Sequence, residues 1–324
     1  MRSFRKYWVI LVSLIIVVAG CTKRDNGLEA VALPMGYVAN VQFSPFYMAE
    51  ERGYFDDAGF DMSFDYRWET DGIQLVAAGE LPFAVASGDQ VIQARSKGLP
   101  VVAVAGWYQR FPVGVIALED TPLDGPEDLR GLRVGIPETF GASYIGLRAL
   151  LDVGGLTEAD IDLQAIGYAQ LAALTAGTVD AVVVYANNEP VVLAQEGTPY
   201  HALYAAEYVD LVSAVIVSSD AYIQNNPKVV ERFVGAFLKG LDEVLRDPEA
   251  AFEVSEAYVE GLSDNAAVQR EVLLASIALW EAPKLGLMSP EAWDHAQSVM
   301  LGSGLIETAS PVESLHTNAF VPTD

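Results

Sequence analysis

Apolar and polar positions follow two different periods along the chain, and these periods predict strands that alternate with helices. The alternation of apolar and polar side chains at 60–66 is typical of a strand with one solvent-facing side. Continuous apolar runs at 83–86 and 101–106 predict buried strands, with helical spacing between them. Together with a first strand at 31–38, this pattern predicts an α/β unit.

A second α/β unit follows a turn at 119–128 that is rich in proline and aspartate. Apolar strands at 113–118 and 211–217 lead into and out of this unit, and amphipathic helices follow from residue 219 onward. Inside the unit we predict strands and helices in turn, at 133–136, 142–153, 162–166, 169–176 and 181–184.

Two passages of the chain between two α/β units are typical of a hinged binding protein, in which closure of two lobes traps a ligand. We therefore predict two lobes with two hinge crossings and a ligand cleft between them. Residues 31–117 and 213–324 are expected to form the first lobe, and residues 118–212 the second. A single doubly wound domain with C-terminal helices is the alternative.

The N-terminus has the pattern of a lipoprotein signal peptide. Basic residues within 2–6 precede an apolar run at 7–18, which is too short to span a membrane. Small residues then stand directly before Cys21, as in the lipobox of bacterial lipoproteins. We expect residues 1–20 to be removed, acyl chains such as palmitate to be attached to Cys21, and residues 21–30 to tether the protein to the membrane.

Composition and charge narrow the classes of partner. Cys21 is the only cysteine, so the chain has no intramolecular disulfide and no cysteine-based metal site. The chain has 44 acidic and 19 basic residues, and loss of the predicted signal peptide with three basic residues leaves a formal charge of −28. Such a charge argues against nucleic acid and anionic lipid surfaces as partners. A hydrophobic fraction of 52% excludes a disordered acidic tail.

The candidate ligand-binding residues lie in loops that follow predicted strands, because open α/β sheets bind small ligands at the carboxyl ends of their strands. In the first of these loops, Ser44 is the expected N-cap of the following helix and Pro45 its first residue. The candidates in the six loops are Asn40, Gln42, Phe43, Trp68, Glu69, Thr70, Asp71, Ser87, Asp89, Trp107, Tyr108, Thr139, Phe140, Ser143, Tyr185, Asn187, Asn188 and Glu189.

The chemistry of these loops points to an uncharged ligand. They contain no lysine, and the nearest basic residues are Arg67 and Arg110. A site for sulfonate, nitrate or phosphate is expected to carry fixed positive charge. Aromatic faces with carboxylate and amide acceptors instead fit a neutral planar heterocycle. The candidates for stacking on such a ring, each of which could equally belong to the core, are Trp68, Trp107 and Tyr185.

Catalysis has little support in the sequence. His201, His295 and His316 lie far apart without the spacing of metal ligands, and neither a nucleophile elbow nor a phosphate loop occurs. Carboxylate pairs such as Glu69 and Asp71 are common in any acidic protein and give weak support for acid–base chemistry. We therefore predict a binding protein with no metal and no resident cofactor, and expect Trp280 and Trp293 to lie in the core.

The ordered series of loop motifs resembles the solute-binding lipoproteins of ABC importers in the thiamine-precursor-like family, closest to the branch that serves riboflavin uptake. The resemblance covers nearly the whole chain after the signal peptide. The segments that carry it are 36–55, 70–72, 87–90, 139–143, 187–190 and 318–320.

The resemblance implies an α/β periplasmic-binding-protein fold of type II. It implies capture of riboflavin between the lobes and delivery to an ABC permease with its ATPase, by a monomer anchored on the extracytoplasmic face of the membrane. The alternatives are a thiamine-precursor aminopyrimidine as ligand and an extracytoplasmic enzyme acting on a small aromatic metabolite. Enzymes of this family use a cofactor-bound lysine and a cysteine-rich motif, whereas after the predicted signal peptide this chain has only Lys23 before Lys97, and it has no cysteine beyond Cys21.

Overall fold

A computed structural model of the protein describes residues 27–322. The predicted signal peptide and Cys21 lie outside the described residues, so both stay predictions. The first strand begins at Glu29, whose backbone N–H donates to the carbonyl of Gly59 at 2.8 Å. The first strand, which we predicted at 31–38, therefore begins two residues earlier than expected, and the tether stays a prediction.

Ten strands form the sheets of the described chain. In chain order they are β1 (Glu29–Gly36), β2 (Phe60–Trp68), β3 (Ala84–Ser87), β4 (Val101–Gly106), β5 (Val113–Leu118), β6 (Arg133–Ile136), β7 (Asp162–Ala165), β8 (Ala181–Tyr185), β9 (Tyr200–Tyr204) and β10 (Ala214–Ser219).

Thirteen α-helices accompany these strands within residues 27–322. They are α1 (Ser44–Glu51), α2 (Tyr54–Asp57), α3 (Glu69–Ala77), α4 (Gly88–Ser96), α5 (Gly141–Val153), α6 (Gln170–Thr175), α7 (Glu189–Gln195), α8 (Asp220–Asn225), α9 (Pro227–Arg246), α10 (Pro248–Ser255), α11 (Ala266–Trp280), α12 (Pro290–Gly302) and α13 (Val312–Leu315). None of the described helices combines the length and the apolar composition that a membrane span requires.

The strands are arranged in the same spatial order in both lobes. In the first lobe β1 pairs in parallel with β2 and lies beside β3, while β10 inserts antiparallel between β3 and β4. In the second lobe the order is β7-β6-β8-β5-β9, and β5 inserts antiparallel between β8 and β9. In each sheet the antiparallel insert is the strand that directly follows a crossing between the lobes.

The crossings are the segments 107–112 and 205–213, which connect the two sheets. The exact lobe limits stay a prediction. The predicted limit at residue 117 falls inside β5, and β5 pairs with β8 and β9 of the second sheet along most of its length. Helix α12 packs against α4 of the first lobe and α5 of the second. One buried apolar cluster therefore continues from one lobe into the other beside the crossings.

Two local predictions were wrong. Ser44 is the first residue of α1 and not its N-cap, because the short 3-10 turn Val41–Phe43 runs directly into the helix. Asn40 is the capping residue here: its side-chain oxygen accepts the backbone N–H of Gln42 at 3.0 Å. The last strand begins at Ala214 and not at residue 211, because Leu211 to Ser213 belong to the second crossing.

Candidate ligand-binding site

The two lobes touch where their strand-end loops face each other. Tyr37 follows β1 in the first lobe and Tyr168 follows β7 in the second, and their ring centroids are 6.4 Å apart at an interplanar angle of 61°. The side-chain amide of Gln42 donates to the side-chain oxygen of Asn188 at 2.7 Å. Predicted loops from different lobes therefore line one cleft.

A polar network ties Asn187 of the second lobe to the first. The Nδ2 of Asn187 donates to the Ser276 hydroxyl at 2.7 Å and to the Tyr108 hydroxyl at 3.3 Å, and the Tyr108 hydroxyl donates to Oε1 of Gln42 at 3.0 Å. Asn187 is fully buried, and its Oδ1 has no hydrogen-bond partner within residues 27–322. This buried network therefore links the loop after β8 to α11 and to the first crossing.

Two carboxylates meet at the first-lobe wall of the cleft. Oε2 of Glu69 accepts the Ser87 hydroxyl at 2.6 Å, and Oδ2 of Asp89 accepts the Gln90 side-chain amide at 3.0 Å. Asp89 is only 3% exposed, and its Oδ1 has no partner in the described chain. Burial raises the pKa of Asp89, and burial together with the Asp89 charge raises the pKa of Glu69 to about 7.

Close approaches at two glycines bring these carboxylates together. A Cβ on Gly36 would lie 2.6 Å from Cγ of Glu69, and Gly36 has a φ of +78°, a conformation that other residues rarely adopt. A Cβ on Gly88 would lie 2.4 Å from the Val212 side chain. The N–H of Gly88 instead donates to the carbonyl of Ser213 at 2.9 Å, which fixes the start of α4 and with it Asp89.

The second-lobe wall adds a neutral phenol and a third carboxylate. The carboxylate of Glu189 accepts the backbone N–H of Tyr185 at 3.2 Å, and burial raises the pKa of Glu189. Burial and the charges of Glu69 and Asp89 raise the pKa of Tyr185 well above its ordinary value. The Tyr185 hydroxyl therefore remains protonated and can donate a hydrogen bond.

Glu69 makes the stability of the protein depend on pH. Its folded pKa of about 7 lies above the ordinary value of 4.5, so the folded state retains a proton that the unfolded chain releases. The stability contributed by this carboxyl is therefore complete below about pH 4.5 and is lost as the pH rises through 7. Because Glu69→Gln cannot ionise, its stability relative to the unchanged protein is expected to rise by about 1–3 kcal/mol between pH 5 and pH 8. Urea unfolding of both proteins at the two pH values measures this change, and an equal difference at both would contradict it.

Trp107 and Phe43 lie in the core of the first lobe rather than on the cleft surface. Trp107 is 3% exposed, and its ring centroid lies 5.5 Å from that of Phe43, 5.2 Å from Phe46 and 5.8 Å from Trp280. The ring therefore supports the loop that carries Gln42. Trp280 and Trp293 are both fully buried, in agreement with the expected core role.

The exposed aromatic faces belong to other residues. Trp68 is 60% exposed at the end of β2, and Phe140 is 57% exposed directly before α5. Tyr168 is 64% exposed, and half-exposed Tyr37 contacts it across the cleft. The candidate list omits Tyr37 and Tyr168, although Tyr168 follows β7 and the strand-end rule extends to it. Exposed positions beside these rings also include Thr70, Asp71 and Thr139, while Ser143 is half-buried in the first turn of α5.

No cation balances the carboxylates of the cleft. Neither Glu69 nor Asp89 forms an ion pair with a basic residue in the described part of the chain. Arg67, the nearest basic residue in the sequence, pairs with Asp65. Within residues 27–322 no group of histidine, cysteine, aspartate and glutamate side chains is suited to a metal ion. The site therefore disfavours anions and favours hydrogen-bond donors.

A separate cavity of about 420 Å³ lies beside the two crossings. Its lining includes Gln109 and Leu211 from the crossings and Lys284 and Met288 from the connection between α11 and α12. Of the candidate residues only Tyr108 lines it. The cavity is therefore a feature of the hinge and not of the carboxylate-lined cleft.

Residues 40–251 match the NMT1/THI5-like family. The chain belongs to this family. It is 38% identical to the riboflavin-binding protein RibY of Chloroflexus aurantiacus over 304 residues, which cover 91% of this chain and 87% of that one. It is 33% identical to the formylaminopyrimidine-binding protein of Halalkalibacterium halodurans, over 92% of this chain and 93% of that one.

Solved structures of binding proteins share the fold. The periplasmic aliphatic sulphonate binding protein SsuA from Escherichia coli matches with a TM-score of 0.72 at 14% identity, covering 88% of this chain and 91% of that one. The prediction of a two-lobe periplasmic-binding-protein fold is therefore confirmed, and so is the family resemblance. The relatives named here are binding proteins.

Proposed function

We propose that the protein captures riboflavin between its two lobes and delivers it to an ABC permease. The observation that carries this proposal is the cleft itself, where aromatic faces from both lobes stand beside buried carboxylates without a cation. The 38% sequence identity to a riboflavin-binding protein, over 91% of this chain, supports riboflavin as the ligand of this protein.

The flavin ring and its hydroxylated side chain match different parts of the cleft. A planar ring stacks on aromatic faces, which Tyr37 and Trp68 present from the first lobe and Tyr168 and Phe140 from the second. Hydroxyl groups donate to carboxylates, and the unpartnered Oδ1 of Asp89 is such an acceptor. In this arrangement the ring lies between the lobes, so that binding favours closure.

Tyr168→Ala is expected to weaken riboflavin binding by about 5- to 100-fold, because a stacked aromatic ring contributes roughly 1–3 kcal/mol. The matched control is Tyr208→Ala, which also removes an exposed tyrosine but lies in the second crossing, beside Glu127 and not among the cleft residues. Equilibrium titration of both variants measures the difference. Equal affinities in the two variants would remove Tyr168 from the site.

A thiamine-precursor pyrimidine is the second candidate ligand, because the chain is also 33% identical to a formylaminopyrimidine-binding protein. An exocyclic amine of such a ring would donate to Glu69 or Glu189, whose acceptor oxygens line opposite walls. We propose binding rather than catalysis for either ligand, since the chain lacks the lysine and cysteine motifs of the enzymes in this family.

The proposal includes the location of the protein and its partners. Acylation of Cys21 would hold the protein on the extracytoplasmic face of the membrane, where the permease and its ATPase accept the ligand from the closed monomer. A formal charge of −25 for the whole chain is consistent with a partner other than nucleic acid.

Calorimetric competition between the two ligands tests the proposal. The protein is titrated with riboflavin in the absence and in the presence of formylaminopyrimidine, with thiamine as a third compound. Tight riboflavin binding that formylaminopyrimidine displaces only weakly is the expected result. Tight formylaminopyrimidine binding without a riboflavin signal would assign the protein to the second candidate.

A further inference from the structure

We infer that Glu69 and Asp89 set the specificity of the site for the uncharged vitamin and exclude its phosphate ester. This inference rests on the proposed function, because it concerns which form of a flavin enters the cleft. Two carboxylates on one wall carry it, together with a buried acceptor oxygen that has no partner in the described chain.

Asp89 is the residue that points to a ligand. Its carboxylate is 97% buried and one of its oxygens is satisfied by Gln90, while Oδ1 accepts no hydrogen bond within residues 27–322. A buried acceptor without a donor is costly, and a donor supplied by a ligand removes this cost. An alcohol hydroxyl is such a donor, whereas a phosphate dianion has no proton to donate.

Glu69 strengthens the discrimination against negative charge. Oε2 of Glu69 already accepts a hydrogen bond from the Ser87 hydroxyl. Glu69 lies on the same wall as Asp89 and is close enough for the charge of Asp89 to raise its pKa. Glu189 and the phenol of Tyr185 complete the surroundings on the opposite wall. At pH 8, where Glu69 is ionised and at which the binding test is run, the charged groups named in this cleft are all acidic. A phosphate group placed here would therefore be repelled, and none of the cleft residues named here is a lysine or arginine that could neutralise it.

The rest of the cleft does not discriminate between the two forms. The vitamin and its ester carry the same ring, so the faces of Tyr37, Trp68, Phe140 and Tyr168 contact both equally. The two forms differ only at the end of the side chain, which is a hydroxyl in the vitamin and a phosphate in the ester, so we place this end of the ligand at the polar wall. Specificity is the difference between the affinity for riboflavin and the affinity for its phosphate ester. A change of charge on the polar wall alters this difference directly.

The test compares riboflavin with riboflavin 5′-phosphate on the full-length chain at pH 8, by quenching of flavin fluorescence. We expect the unchanged protein to bind riboflavin at least about 100-fold more tightly than the phosphate. Glu69→Gln and Asp89→Asn keep the shape of the side chains and remove charge, and each is expected to narrow this ratio by about 10-fold or more. The matched controls Glu80→Gln and Asp120→Asn remove exposed carboxylates elsewhere and leave the ratio unchanged.

The outcomes separate this inference from the function on which it rests. Equal affinities for both flavins in the unchanged protein would overturn the inference and leave riboflavin capture intact. An unchanged ratio in both Glu69→Gln and Asp89→Asn, with riboflavin still bound, would also overturn it. Binding of neither flavin by the unchanged protein would refute the proposed function, and the inference with it.

Discussion

Replacing Trp107 by alanine is expected to lower the free energy of unfolding by about 3–5 kcal/mol. The indole ring is almost completely buried and packs against the rings of Phe43, Phe46 and Trp280, so its removal leaves a large cavity in the first lobe. Urea unfolding followed by circular dichroism measures the change. Affinity for the ligand should fall as well, because the ring supports the loop of Gln42.

The matched control for this prediction is Trp68→Ala. Trp68 is 60% exposed at the end of β2, so its loss should change the free energy of unfolding by no more than about 0.5 kcal/mol. Comparison of the two variants therefore distinguishes a tryptophan that stabilises the fold from one that contacts the ligand. A folded Trp107→Ala protein of unchanged stability that has lost affinity would show instead that the Trp107 ring faces the ligand.

Replacing Asn187 by alanine is expected to weaken riboflavin binding by about 10- to 100-fold. Asn187 donates to Ser276 and Tyr108 across the lobes, and a buried hydrogen-bonding group that loses its partner costs roughly 1–3 kcal/mol. This cost falls on the closed form, since lobe opening lets water reach the same groups. Ligand affinity therefore decreases with the population of the closed form.

A double-mutant cycle with Ser276→Ala tests whether Asn187 acts through this contact. Ser276 accepts from Nδ2 of Asn187 at 2.7 Å, so the two substitutions should be strongly non-additive in their effect on affinity. Additive effects would mean that Asn187 acts on the ligand directly, through its unpartnered Oδ1. Tyr208→Ala again provides a control variant outside this contact, in the second crossing.

The sequence pattern predicts local elements well because each depends on near neighbours. Residues 101–106 and 181–184 are short apolar runs, and both lie in strands of the structure. The sequence pattern did not predict the strand at 200–204. This strand lies at the edge of the second sheet, where most of its polar and apolar residues are only half-buried. Residue type predicts Ser44 as a helix cap. In the structure the preceding 3-10 turn runs directly into α1, so Ser44 is already the first residue of the helix.

The arrangement of the site depends on contacts that no local pattern contains. Gln42 and Asn188 are 146 residues apart and Asn187 and Ser276 are 89 residues apart, yet both pairs form hydrogen bonds. Burial is equally non-local: Trp107 directly follows β4 and Trp68 is the last residue of β2, but Trp280 of helix α11 packs against Trp107 while Trp68 remains exposed. Residue type and strand-end position therefore select the candidates, and only packing decides which of them face the cleft.

Riboflavin capture is tested by titration of riboflavin with the full-length protein, followed by the fluorescence of the flavin. We expect saturable quenching that ends at one riboflavin per chain, with the flavin recovered unchanged after denaturation of the protein. Quenching by aromatic stacking makes this signal report on the ring itself. Two results would contradict capture of riboflavin as the function. One is the absence of quenching at protein concentrations that bind formylaminopyrimidine, and the other is recovery of a chemically altered flavin.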